Sequence, residues 1–385
     1  MKKINKKLLV LISAILTLTI LIVTGFVVLG ETTEEPKIIE LRIKDDHPGI
    51  PGYDLHLETI VYYGVEGDTD RLSADNFTLS CDVPEVIFEG DKITIPASFK
   101  DNTDIEGFNI YVKHNEDDSV VGVYPLSLKK WEMTANDEFE GTELNSEMWS
   151  VTSTTDKENV GGGKTWGWDT QSVTVSDGSM HISVLENDGS GKSTADFIAG
   201  KVNSKYYQNE GLFLSSIKMP TQGGANNGFW LTPTSEGWGE AYFALVRSGT
   251  RENMYDGEMD IVEYSPNWKD KDGVPRCVIT DHFWYADTLE FDKEKSYAAY
   301  YSSEKLKTDY VTFAVAWTPV ALFYYCDGEL VKTVKNTEST DELARVTYTV
   351  LEGSYNGLVD AWAGAFTEDD LPYMTMSVDY CRWYK

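Results

Sequence analysis

Apolar and polar residues alternate in short runs along nearly the whole chain, with turn-forming residues between the runs. The first are Ile38–Ile43, Leu55–Val61, Val86–Phe88, Lys92–Ile95 and Phe108–Val112. Side chains two apart share one face of a strand, so such alternation predicts strands with one buried face. The spacing of the turn signals is that of a small sandwich, and it predicts an immunoglobulin-like β domain over 38–130. From Trp131 onward nearly every run again reads as strand and turn, which predicts a second, all-β domain over 131–385. Leu8–Gly30 breaks the pattern: it carries no charge and follows the basic Met1–Lys7. Residues 1–30 read as a signal peptide or a membrane anchor, and the pattern leaves the two open. The run is long enough for a bilayer, while Val28–Gly30 offers tolerable residues for cleavage. Either way the remainder is expected outside the cytoplasm, secreted or anchored at the cell surface or wall. Residues 31–37, acidic and polar with Pro36, read as a linker.

The second break lies at Gly257–Tyr264, where Glu258, Asp260 and Glu263 are interleaved with Met259, Ile261 and Val262. The β-branched pair and the alternation read as a strand. Glu258 and Asp260 share one face of it. Strict alternation sends Glu263 to the other face. One extra residue at Ile261–Val262, a β-bulge, returns it. Three carboxylates on one face are costly in a packed core and useful in an open cleft. Glycoside hydrolysis needs two carboxyl groups, one as nucleophile or base and one as proton donor. Roughly 13 Å separates the Cα atoms of the outer pair at about 3.3 Å per residue, and inward-leaning side chains can close that to the roughly 5–5.5 Å of a retaining enzyme. Asp260 between them can share a proton and separate their pKa values. An exposed acidic strand gives the same pattern, so the spacing alone leaves both readings open.

The chain has 385 residues and a formal net charge of −30, with 22 Tyr and 11 Trp. That charge argues against nucleic acid and anionic membrane surfaces as partners, and weakens the case for sulfated or uronic polysaccharides. Aromatic rings fill β cores and also stack on sugars. Cys81, Cys277, Cys326 and Cys381 lack metal-ligand spacing, and Cys326 and Cys381 read as buried thiols or as a pair. The glycine-rich loops at 160–164, 188–192 and 221–225 lack the setting of a phosphate loop. The first domain has no cluster of tryptophans, which favours a spacer over a carbohydrate-binding module.

The Glu-x-Asp-x-x-Glu run resembles the bulged active-site motif of glycoside hydrolase family 16, the laminarinase-like endoglycanases. Other segments fall in family order across about 250 residues. Asp137–Asn145 with Trp149 is similar to the start of the family's domain, and Val173–Ile182 to its early strand pair. Gly200–Lys205 and Gly211–Pro220 follow. Gly228–Leu231 resembles the strand that bears a cleft tryptophan. Trp317–Pro319 with Tyr325–Leu330 resembles a late hairpin, and Ser377–Tyr384 the closing strand.

The resemblance implies a jelly roll of two antiparallel sheets, one of them lining the cleft. It implies Glu258 as nucleophile, Glu263 as acid/base and Asp260 as their helper, with no cofactor required. A structural calcium ion is common in such enzymes, although no ligand set stands out here. Trp230 takes the position that faces the sugar. His282, in the run expected beside the acid strand, is a candidate for hydrogen-bonding substrate or an acid. Trp166, Trp168, Trp238, Trp268 and Trp284 are candidate stacking platforms. The match departs from the family upstream of the acid strand at Asn253–Gly257, in Trp166–Gln171, and at a long polar insertion, Ser265–Pro275. These loops border the cleft, so substrate is the open point. The leading reading is a monomeric, retaining endo-β-glycanase acting on β-1,3- or β-1,3-1,4-glucan. A galactan hydrolase for agar or carrageenan, and a glycan-binding or transglycosylating surface protein, are the alternatives.

Overall fold

Almost every alternating run forms a strand. The computed structural model describes residues 37–53, 55–101, 104–117, 120–233, 255–285, 298–319, 321–335, 344–351, 353–359 and 361–385, with backbone only at 101, 233, 255–258, 283–285, 335 and 351. The hydrophobic segment and the linker up to 36 lie outside the described residues. Among the described residues no helix is long and apolar enough to cross a membrane.

Two β-sandwiches follow one another. In the first, Lys37–Ile43, His56–Val65, Asp68–Arg71, Ile87–Glu89 and Lys92–Thr94 make one sheet, and Phe77–Cys81, Gly107–His114 and Val121–Ser127 the other. Alternate residues such as Ile39, Leu41, Ile110 and Val112 meet in a shared core. Lys37, read as linker, already pairs with Val65.

The second sandwich is the larger. Its seven-stranded sheet runs, in spatial order, Trp149–Val151, Lys201–Ser204, Ala344–Leu351, Asn226–Pro233, Tyr255–Lys269, Pro275–Tyr285 and Ala298–Ser302. The facing sheet runs Val173–Ser176, Ser179–Ser183, Thr375–Tyr384, Gly211–Lys218, Val311–Trp317, Ala321–Cys326 and Glu329–Lys335, with Met133–Asp137 beside Thr375–Tyr384. Phe213, Phe229, Ile261, Val262, Tyr264, Tyr324 and Tyr348 pack between them. This is the jelly-roll architecture, with strands far apart in sequence brought side by side. All four cysteines are free thiols, three of them buried, so Cys326 and Cys381 form no pair.

The central strands of the facing sheet are apolar on both sides. Phe213, Val315 and Tyr324 turn inward to the core, while Leu212, Leu214, Ala314, Ala316, Phe323 and Tyr325 turn outward. Strands buried on both faces lose the alternation and read as continuous apolar runs. Here Ile50, Leu55 and Trp131 cover the outer face. His47 packs on Phe323 with ring centroids 4.2 Å apart, and Tyr53 on Tyr384 at 4.5 Å. Lys92 and Glu329 pair at 2.7 Å. The first sandwich is therefore docked on the side of the second that faces away from the acid strand.

This contact is expected to weaken in acid. His47 is 2% exposed. Burial lowers its pKa to about 4, against a slight upward pull from the Pro48 carbonyl. The unfolded chain binds a proton near pH 6.5 that the folded chain refuses until about pH 4. The contribution of neutral His47 is thus complete above pH 6.5 and is lost as pH falls through that window, about 3 kcal/mol at ~1.36 kcal/mol per unit. In thermal unfolding between pH 7 and 4.5, the wild type should lose more stability than His47→Leu. Parallel curves would show that His47 takes up its proton as readily in the fold as in the unfolded chain.

Candidate active site

The site is built on three neighbouring strands, Asn226–Pro233, Tyr255–Lys269 and Pro275–Tyr285. On one side Trp230 pairs with Asp260, Phe229 with Val262 and Gly228 with Glu263, which leaves Ile261 without an opposite number. On the other side Asp260 pairs with Thr280 and Glu263 with Val278, so two residues oppose Ile279 alone. That is a β-bulge, and Ile261 and Val262 are both fully buried within the core. The extra residue brings Glu263 back to the face that carries Asp260. Residues directly opposite in register present their side chains to one face, so Trp230 shares it as well.

Asp260, Glu263 and His282 come together there. His282 Nε2 lies 2.9 Å from Asp260 Oδ2. Asn226 Nδ2 donates to Glu263 Oε1 at 3.0 Å. One donor or acceptor atom from each of Asp260, Glu263 and His282 lies within 4.8 Å of the others. Among the described residues this is the one such cluster able to hold a cation, but it coincides with the acids, where a cation competes with the proton. Burial pushes the Glu263 carboxyl above its ordinary pKa, while Asn226 and then His282 pull it part of the way back. Desolvation penalises the charged form, so the Glu263 carboxyl keeps its proton to higher pH than an exposed one would. Glu258 pairs with His282 along the backbone, and two-residue periodicity gives it the face of Asp260. Its side chain lies outside the described residues.

Gly228, opposite Glu263, keeps space open beside the acid. A Cβ there would sit 2.8 Å from Thr349 Oγ1 and 3.3 Å from Trp230 Cδ1. Trp230 is half-buried, with Lys201 Nζ 5.3 Å from the ring centroid. Trp166 is a correction to the sequence reading: it is 4% exposed and part of the core, and cannot offer a ring face to a sugar. Trp168 is half-buried and meets Trp166 edge-on at 4.6 Å. Trp238 and the side chain of Trp284 lie outside the described residues. The polar insertion is largely strand: Tyr255–Lys269 continues past the acids, and a turn closed by Asp270 and Val274 leads into Pro275–Tyr285.

Directly behind the site lies a charge pair that the sequence reading missed. Asp281 precedes His282 on the strand and points the other way, into the core. There it meets Lys332 Nζ and accepts from the Tyr324 hydroxyl, and both charged side chains are essentially without solvent exposure. Burial pulls the Lys332 pKa down, and Asp281 and then Asp260 hold it up. Asn226 was missed too, since a single asparagine at a strand start carries no distinguishing pattern.

The model of glycosyl hydrolases family 16 matches residues 161–380, more than half of the chain, and the chain belongs to that family. It is a glycoside hydrolase. Among solved structures it is similar to SCLam, a non-specific endo-β-1,3(4)-glucanase, at 16% identity and a TM-score of 0.50, covering 66% of this chain and 91% of that one. A structure described with endo-acting O-glycanases of human gut microbiota that initiate mucin breakdown gives the same identity, coverage and score. The laminarinase catalytic domain of Thermotoga maritima is 18% identical, with a TM-score of 0.49 over 67% of this chain and 99% of its own. No curated protein matches the chain.

Proposed function

We propose that the protein is an extracytoplasmic, retaining endo-β-glycanase that cleaves β-1,3- or β-1,3-1,4-glucan as a monomer. The observation that carries this is Glu263, a carboxyl whose pKa burial raises, on a bulge that returns it to the face of Asp260. In the first step Glu258 attacks the anomeric carbon while Glu263 gives its proton to the departing glycosidic oxygen. In the second, Glu263 takes a proton from water, the water oxygen bonds to the anomeric carbon, and the Glu258 ester breaks. Asp260, held by His282, sets the charge between the two. The chemistry uses no cofactor, and a calcium ion would serve only the fold. The substrate reading rests on the family and on the net charge, which suits an uncharged polysaccharide.

The test uses the whole chain, because residues 131–385 alone would expose the apolar face that Ile50 and Leu55 cover. Laminarin, lichenan, agarose, carrageenan and mucin are incubated with it, and released fragments are followed by chromatography and by proton NMR of the new anomeric centre. Internal cleavage of laminarin or lichenan with the β configuration first to appear is expected. Release from agarose or carrageenan alone would move the substrate to galactan, and the opposite anomer would refute retention.

A further inference from the structure

A strap of residues 353–359 and 361–366 crosses the end of the acid strand. It closes on itself through parallel pairing of Ser354–Tyr355 with Ala365–Phe366. Two residues beyond Glu263, Ser265 Oγ donates to the Ala363 carbonyl at 2.7 Å. Asn267 Nδ2 reaches the same carbonyl at 3.1 Å and that of Ala365 at 3.3 Å. The strap also lies against the chain that leads into Asn226. A Cβ on Gly224 would sit 2.3 Å from Gly364 O, and one on Gly353 would sit 2.0 Å from Gly224 O. Only glycines permit backbones to approach this closely.

The strap carries Trp362, which is 69% exposed, the highest value among the large hydrophobic side chains described. Its position is nonetheless fixed. Trp268 Nε1 donates to the Trp362 carbonyl at 3.1 Å, and the two rings meet edge-to-face with centroids 5.1 Å apart. Two strand steps, about 7 Å, separate Glu263 from Ser265, which touches the residue next to Trp362. An indole left in water, braced from below and anchored beside the catalytic acid, has the properties of a preorganised contact.

We propose that Trp362 is a stacking platform for a pyranosyl unit of the polysaccharide flanking the scissile bond, and that it sets the enzyme's preference for long chains. The inference rests on the glycanase reading above. Sugar rings offer C–H faces to an indole and hydroxyl edges to polar neighbours, such as the exposed Glu368 that accepts from Tyr355 of the strap at 3.0 Å.

Trp362→Ala and Trp362→Phe are compared with wild type in the full chain. Each is assayed on the polysaccharide of the panel that the wild type cleaves, and on a tetrasaccharide of the same linkage. The alanine variant should raise KM for the polymer about 3–10-fold, as expected for loss of one aromatic contact. The loss should fall on KM more than on kcat, be smaller on the tetrasaccharide, and be partly restored in Trp362→Phe. An unchanged polymer KM overturns the proposal. A matched fall in kcat on both substrates would make Trp362 a brace for the strap and overturn it as well. If the wild type cleaves no member of the panel, the glycanase reading falls and this inference falls with it.

Discussion

Glu263→Gln is expected to lower turnover about 10²–10⁴-fold, the usual worth of a positioned proton donor. Glutamine keeps the shape and can still accept from Asn226, so the loss reads out the missing proton. The wild type should also show an alkaline limb in its pH–rate profile. Glu263 must carry a proton when the glycosidic bond breaks, and burial raises the pH at which that proton leaves. Activity therefore falls as pH rises through the elevated pKa. Asn226 favours the charged carboxylate, so Asn226→Ala should raise that pKa further and move the limb to higher pH. A limb that moved down would contradict the assignment. The same geometry implies an opposite effect on stability. A carboxyl whose pKa rises on folding stabilises fully below its unfolded pKa and progressively less as pH rises through the folded value. The Glu263→Gln variant, neutral at every pH, should then melt at a higher temperature than wild type near pH 7, a stability gained where function is lost.

What could be read from the sequence follows from what a strand's periodicity can carry. The acid strand announced itself because two acids two apart and a third displaced by one residue need a bulge to act together. Trp230 was legible through the family resemblance of its run, and His282 through its place in the run expected beside the acid strand. Trp166 was misjudged because Trp166-Gly-Trp168 looks symmetrical in sequence, while the structure buries the first and leaves the second partly out. The docking of the first sandwich had a signal that went unused. Ala321–Cys326 is apolar at every position, and an antiparallel strand with one wet face alternates. The run itself says that something covers its outer side. Asn226 and Trp362 had no such signal, because each acts through contacts made by residues far away in the chain. Lys332 was hidden for a different reason. In Glu329–Lys335 it reads as one more solvated lysine, and only the opposite sheet, which supplies Asp281, reveals that it is buried.

Removing Lys332 should be among the most damaging single changes outside the acids. Lys332→Ala leaves Asp281 inside the core with no counter-charge. Breaking a buried pair from one side costs about 3–5 kcal/mol, and at roughly 2–4 °C per kcal/mol for a domain of this size the melting point should fall by about 6–20 °C. The loss measures the stranded charge, not the value of the pair. Asp281→Leu with Lys332→Met removes both charges, and Tyr324→Phe removes the hydroxyl that donates to Asp281. This triple variant should recover most of the lost melting temperature, since buried pairs replaced by apolar groups of similar volume are often neutral or better. The pair's reason for being there would then be electrostatic. Lys332 feels Asp260 as well as Asp281, and by reciprocity its charge favours the Asp260 carboxylate that His282 holds. Asp281, a like charge on the neighbouring strand, opposes that carboxylate, and the triple variant removes both influences together. Recovery of stability with turnover unchanged would confine Lys332 to the fold. A triple variant as unstable as Lys332→Ala would mean that the damage comes from packing between the sheets and not from the uncompensated charge.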